Sequence, residues 1–437
     1  MAGTNEHLKA LSNRPSKLFV ETTTRCNLRC PICLKQSGND NRAEGDLSLD
    51  LFSRLEAAFP ALDALILNGI GEPTLHPNLE TFIRRARALM PAGGLIGFQS
   101  NGVFINERRA SSLINAGLDR ICLSVEACSK ELFETLRLGG EADVISRALS
   151  SLQSAKKKTG RMEVQVGIEF VCTRSNIDEL PSVLQWAAGL GATFAIVSQL
   201  LPYNPITVGE ATYDTNTSSA LDFLQSWLQR ARRTRLDLRR YPDLFMKPKR
   251  SSPEEEVVAL VREMVADAYN KGVSLHVDRL LRRDADYLEH VSQVFSESSE
   301  VAKDGGLALE LPEVVPRGQR RCDFVEEGSA FISWDGKIHP CYFLWHQGRC
   351  YLGGCAKNVE PVVFGSVADE DLQSVWNVSA FRSFREEVIR YDFPFCFDCN
   401  FALCDLVQTG HFEQDCHIGT VPCGACMWCT GLFNCMR

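Results

Sequence analysis

The chain has 437 residues, 45% of them apolar and 23% charged, enough to bury more than one core. A formal charge of −8 leaves no basic footprint for nucleic acid, and no stretch is long and apolar enough to span a membrane, so neither partner is expected. Eighteen cysteines, with no export signal in Met1–Pro15, point to a cytoplasmic, reducing compartment in which thiols serve metals rather than disulfides.

In chain order, Leu18–Thr23 reads as a strand that runs into Thr24-Arg25-Cys26-Asn27-Leu28-Arg29-Cys30-Pro31-Ile32-Cys33. Three thiolates on one short loop, with no fourth Cys or His close by, suit three irons of a [4Fe–4S] cube and leave the fourth iron open, whereas a structural zinc closes its shell. Ala64–Gly69, Leu95–Ser100, Arg120–Glu126, Glu163–Val171 and Phe194–Gln199 read as five more strands, with helices near 48–58, 78–89, 106–116, 130–157 and 176–189 between them. A capping box at Asn176 and Glu179, with Pro91, Gly117 and Gly160 near helix ends, punctuates the pattern. Such alternation builds a parallel sheet with helices outside. The expectation is an α/β chain whose residues 15–205 form a partial (β/α)6 TIM-like barrel, with its chemistry at the C-terminal strand ends.

Polar and glycine-rich residues do follow the strands. Asn68-Gly69-Ile70-Gly71-Glu72-Pro73 follows the second, Gln99-Ser100-Asn101-Gly102 ends the third, Leu123-Ser124-Val125-Glu126 ends the fourth, and Phe133-Glu134-Thr135-Leu136-Arg137 lies beyond it. Together with the CxxxCxxC loop, these segments resemble the radical S-adenosylmethionine (SAM) superfamily. The resemblance implies that Cys26, Cys30 and Cys33 hold a [4Fe–4S] cluster, that the Ile32 backbone faces the adenine, and that Gly71 and Glu72 meet the methionyl ammonium. It further implies that Ser100, Asn101 and Ser124 belong to the SAM wall and that Arg137 reaches the methionyl carboxylate. Ser100 stands where the family has Thr, and Glu126 where Asp is commoner. His76 is expected to be structural, and Cys122, Cys128 and Cys172 to be small buried hydrophobes.

Residues 206–318 read as a charged helical insertion ending in a linker at 296–318. Arg230, Arg232, Arg233, Arg239 and Arg240 look like a solvated helix face, and Ser251-Ser252-Pro253-Glu254 marks a helix start. The last segment, 319–437, is Cys-rich. Cys322, then Phe331 to Cys341 with Gly336 five positions before Cys341, and Cys396-x-x-Cys399 resemble a SPASM domain, which carries auxiliary iron–sulfur clusters. Cys404, Cys416, Cys423, Cys426 and Cys435 complete nine candidate ligands, enough for two further [4Fe–4S] clusters with one thiol over. Cys350, Cys355 and Cys429 stay unassigned, and a zinc ribbon at Cys396–Cys404 or Cys423–Cys426 is the alternative.

The resemblance implies a radical SAM oxidoreductase or maturase that cleaves SAM reductively and abstracts hydrogen from a substrate, with an electron donor such as a flavodoxin or ferredoxin. The expected substrate is a peptide or protein, and about fifteen residues ahead of the first strand would leave leader recognition to a separate partner. Val197-Ser198-Gln199-Leu200-Leu201-Pro202-Tyr203 and the ending Cys423 to Cys435 are also similar to a subgroup thought to mature tungsten- or molybdenum-type metalloenzymes, so modification of a cofactor or small molecule is the alternative. A non-catalytic iron–sulfur electron carrier is the outsider.

Overall fold

A computed structural model describes residues 9–36, 43–141, 143–393, 395–398 and 422–436. Six parallel strands in sequence order, β1 (Lys17–Val20), β2 (Ala64–Ile66), β3 (Leu95–Ser100), β4 (Arg120–Ser124), β5 (Gln165–Cys172) and β6 (Phe194–Gln199), form the centre of a ten-stranded sheet. The sheet is extended at both ends. β7 (Ala308–Glu310) adds in parallel to β6, while β8 (Ser329–Ile332) pairs in parallel with β1 and carries β9 (Lys337–His339) and β12 (Gly365–Ser366) beyond it. β10 (Gly348–Leu352) and β11 (Cys355–Val359) make a separate hairpin.

Strand alternation sorts the side chains into two layers, because successive residues point to opposite faces. Leu18, Val20, Ile96, Phe98, Ile121, Leu123, Ile168 and Phe170 pack under the helices in the largest apolar cluster. Phe19, Ala64, Ile66, Cys122, Phe194 and Ile196 face the other way and close the lumen with Phe324, Phe331 and Met436 from the C-terminal segment. Each such buried phenylalanine is worth about 1.5–3 kcal/mol of removed apolar surface. The lumen is thus plugged with apolar groups at one end, where Arg120 lies over the Phe194 ring, and the polar residues that line the site follow toward the C-terminal strand ends.

The helices depart from the sequence reading in places. The helix expected over 130–157 is two, Lys130–Leu136 and Val144–Thr159, broken where Arg137 leaves helical geometry before Gly139 and Gly140. No capping box forms at Asn176: its side chain accepts from Thr173 N and donates to Glu126 O and Val171 O, tying β4 to β5 instead. Glu179 turns away to accept from Cys128 N and Ser129 N. Gly117 and Gly160 do adopt the left-handed cap conformation. Ser251 and Glu254 form a full capping box on the helix Ser252–Asn270, and Arg230 pairs with Glu263 on a solvated face. The linker expected at 296–318 is largely structured, because the helix Ala285–Asp304 buries Val294, Phe295 and Ala302 against the barrel and β7 follows at once. Among the described residues no helix is long and apolar enough to cross a membrane.

Candidate active site

The parallel pairing of β1 with β2 and β8 fixes the start of the cysteine loop on the C-terminal rim of the sheet. Lys35 Nζ holds Thr24 O at 2.7 Å, and Arg25 pairs with Asp46, so both ends of the loop are tied down. Backbone amides face the sulfurs: Leu28 N lies 3.5 Å from Cys26 Sγ and Lys35 N 3.4 Å from Cys33 Sγ. Burial pushes the Cys26 thiol up, and the Cys30 thiol up to about 12. Bare thiolates are therefore disfavoured here, and metal coordination is what stabilises the deprotonated sulfur in such a place.

All three cysteines line one cavity of about 330 Å³, within the usual range of small-molecule sites. The same wall contains the seven barrel residues that the resemblance assigns to SAM: Ile32, Gly71, Glu72, Ser100, Asn101, Ser124 and Arg137. No fourth Cys and no His borders this cavity among the described residues. Among those residues no three His, Cys, Asp or Glu side chains converge as a single ion would need, whereas a cube distributes its ligands over separate iron corners. The donor set fits an open [4Fe–4S] cluster.

The second strand end works through close approach. A Cβ on Gly71 would stand 2.3 Å from Thr23 O, so the glycine is required by the neighbouring cysteine-loop backbone rather than by space for a ligand. Glu72 is buried and saturated: Oε1 accepts from Thr74 N at 3.1 Å, Thr74 Oγ1 at 2.5 Å and Ser100 Oγ at 2.7 Å, and Oε2 accepts from Asn101 N at 2.7 Å. The carboxylate therefore clamps the third strand end while presenting its negative charge to the cavity. Asn101 Nδ2 in turn donates to Asn27 Oδ1 at 2.9 Å within the cysteine loop.

Arg137 forks onto Glu126 through Nε and Nη2, the latter at 2.6 Å from Oε1. Burial works against its charge, but Glu126 overrides burial and keeps the guanidinium protonated. Glu169 of β5, which sequence reading passed over, also lines the wall. Burial raises its carboxyl to about 7, opposed by a hydrogen bond from Gln99 and reinforced by the charge of Glu126. Strand parity was the available signal: Glu169 lies between outward-facing Ile168 and Phe170. His76 is structural, bonded to Leu47 O and Asn78 N and packed on Phe82.

In the C-terminal segment, Cys322, Cys341, Cys423 and Cys426 lie within electrostatic reach of one another, and Cys429 reaches the Cys426 carbonyl at 3.5 Å. Cys435 stands beside Tyr342, and Cys396 is buried near Arg320, whose guanidinium covers the Phe393 and Phe395 rings. Cys399, Cys404 and Cys416 lie outside the described residues. Cys350 is buried in apolar surroundings at 0% exposure. Cys122 and Cys172 are buried as expected, but Cys128 is exposed, because it lies past the strand at the head of the helix Lys130–Leu136.

Comparison with known proteins agrees with this geometry. Residues 20–186 match the radical SAM superfamily, and residues 322–400 match the SPASM iron–sulfur cluster-binding domain. A tungsten-containing aldehyde ferredoxin oxidoreductase cofactor-modifying protein of Pyrococcus furiosus is 27% identical over 96% of both chains. A GTP 3′,8-cyclase of Streptomyces coelicolor is 32% identical, over 39% of this chain and 49% of that one. The fold is similar to that of Streptococcus suis SuiB bound to its precursor peptide SuiA, with a TM-score of 0.51 at 13% identity, covering 89% of this chain and 69% of that one.

Proposed function

Because the chain belongs to the radical SAM superfamily and carries a SPASM domain, and so is an enzyme of [4Fe–4S] clusters and SAM, we propose that it modifies the organic cofactor of a metalloenzyme. The observation that carries this reading is the end-to-end likeness, over 96% of both chains, to a protein named for modifying a tungsten enzyme's cofactor. When bound, cluster and SAM supply an electron and a 5′-deoxyadenosyl radical able to take hydrogen from a C–H bond.

The chain's own residues bind and orient. Cys26, Cys30 and Cys33 hold the cluster, and Ile32, Gly71, Ser100, Asn101 and Ser124 shape the SAM wall around it. Glu72 sets a negative charge toward the ammonium, and Arg137, held by Glu126, sets a positive one toward the carboxylate. Such fixed charges place the reacting bond without reorganisation, which is most of what a protein contributes to cofactor chemistry. Eight of the nine cysteines Cys322, Cys341, Cys396, Cys399, Cys404, Cys416, Cys423, Cys426 and Cys435 supply two auxiliary clusters, with a flavodoxin or ferredoxin as the electron source.

The test is co-production of a tungsten- or molybdenum-dependent oxidoreductase with and without this protein, followed by mass spectrometry of the extracted cofactor. A mass change that requires intact Cys26, Cys30 and Cys33 is expected. An unchanged cofactor accompanied by a mass change in a peptide would replace this reading with the peptide maturation expected from sequence.

A further inference from the structure

Exposed apolar side chains are unevenly spread over this chain. Of the eleven large ones among the described residues, four lie in the helical insertion, between the helix Ser218–Arg233 and the helix Val277–Arg282: Phe245, Met246, Val265 and Tyr269, the last 79% exposed. Phe245, Val265 and Tyr269, with Tyr241, Val273 and Leu275, line a concave groove of about 710 Å³, more than twice the volume of the SAM cavity. Single exposed apolar residues need no explanation, but a contiguous patch marks an interaction surface.

The charge around the groove gives the sign of its partner. From Arg230 to Leu275 there are eleven Lys or Arg against seven Asp or Glu, opposite in sign to the −8 of the whole chain. Five of those carboxylates are already matched: Glu254 by Arg240 and Lys247, Glu255 by Arg250, Glu263 by Arg230, Asp267 by Lys271 and Asp243 by Arg282. By contrast, Arg232, Arg233, Arg235, Arg239, Lys249 and Arg262 are exposed and form no ion pair among the described residues. The groove wall itself contains Arg262 and no carboxylate, and Arg250 and Arg262 both act on the Tyr241 hydroxyl. Such a surface attracts an acidic protein at long range and rejects a basic one.

The groove also connects to the iron–sulfur segment. Leu275 leads into the helix Val277–Arg282, from which Arg279 Nη1 donates to Phe397 O at 3.0 Å, next to the candidate ligand Cys396. We propose that the groove docks an acidic one-electron carrier protein, its carboxylates on the unpaired cations and an apolar side chain seated beside Tyr269. Aromatic and arginine side chains are the usual anchors of such contacts, and a concave wall takes a protruding side chain where a bilayer would meet a convex apolar face. The inference rests on the carrier-supplied electron of the function proposed above.

Steady-state formation of 5′-deoxyadenosine by the anaerobically reconstituted full-length protein tests this, with reduced flavodoxin, reduced ferredoxin or dithionite as the electron source. Arg262→Glu and Tyr269→Glu, singly and together, should raise the carrier concentration needed for half-maximal rate at least tenfold, while the dithionite-driven rate and SAM affinity stay unchanged. Both side chains are exposed, so circular dichroism should match the wild type. Added salt should weaken the wild-type dependence on carrier and leave the dithionite rate alone. Carrier-driven rates indifferent to both substitutions overturn the assignment. So does binding to phosphatidylserine vesicles that the variants lose while carrier dependence is intact, which would make the groove a membrane contact. Dithionite-driven turnover with none on either carrier in the wild type removes the carrier as electron source, and this docking site with it.

Discussion

Glu21, at the end of the first barrel strand, and His346, from the C-terminal segment, meet with Nε2 3.0 Å from Oε1 and 3.1 Å from Oε2, across 325 residues of sequence. Glu21 is fully buried and also accepts from Ile70 N at 3.1 Å, so one carboxylate joins the cysteine-loop strand, the Gly-Glu-Pro turn and the auxiliary-cluster segment. His346→Ala takes away its main partner and leaves a buried carboxylate underpaired. Urea unfolding should show a loss of about 2–4 kcal/mol; a change within experimental error would mean the contact does not join the two segments.

Replacing Cys26, Cys30 and Cys33 together by Ala should remove about one cluster's worth of iron from about three in anaerobically reconstituted protein. Formation of 5′-deoxyadenosine should cease. Unchanged iron content would show that these thiols are not ligands.

Glu72→Gln keeps the side chain's shape but exchanges one accepting oxygen for a donor facing Ser100 Oγ or Asn101 N. SAM affinity should fall by about 1.5–3 kcal/mol, while iron content stays at the wild-type level. Equilibrium titration with wild-type affinity would remove this carboxylate from SAM recognition.

Cys322 and Cys341 replaced together by Ala should lower iron and abolish product on the true substrate, yet leave uncoupled SAM cleavage, because the barrel cavity shares none of its wall with them. Circular dichroism would establish that the barrel is still folded, since loss of a cluster can destabilise its host. Wild-type iron in the folded double variant, or stoichiometric zinc in its place, would replace the iron–sulfur assignment with a zinc module.

Glu169 gives stability a pH dependence of definite sign. Its folded carboxyl titrates near 7, above the ordinary range near 4.5, so between those values the folded chain keeps a proton that the unfolded chain releases. Stability from this group is full below pH 4.5, falls as pH rises toward 7, and is flat above it. Because the carboxyl still touches the cavity, the loss is on the order of 1–2 kcal/mol. Unfolding of the apoprotein at pH 5 and pH 8 should show a slope that Glu169→Gln flattens; an identical slope in the variant would assign it to other groups.

The sequence by itself determined the six barrel strands and the residues at their C-terminal ends, because strand alternation and chemically unusual residues such as Cys26, Glu72 and Arg137 are local signals. It also located Cys322 and Cys341, since thiols are scarce and their spacing is informative. Tertiary structure alone decided that Glu72 is saturated by Ser100 and Asn101, that Arg137 is held by Glu126, and that Glu169 shares their cavity. Those relationships join different strands, and register between strands is set by packing rather than by neighbours in sequence. Placement of β8 beside β1, and of Met436 inside the lumen, has the same origin: chain ends hundreds of residues apart meet because each buries apolar surface the other leaves exposed.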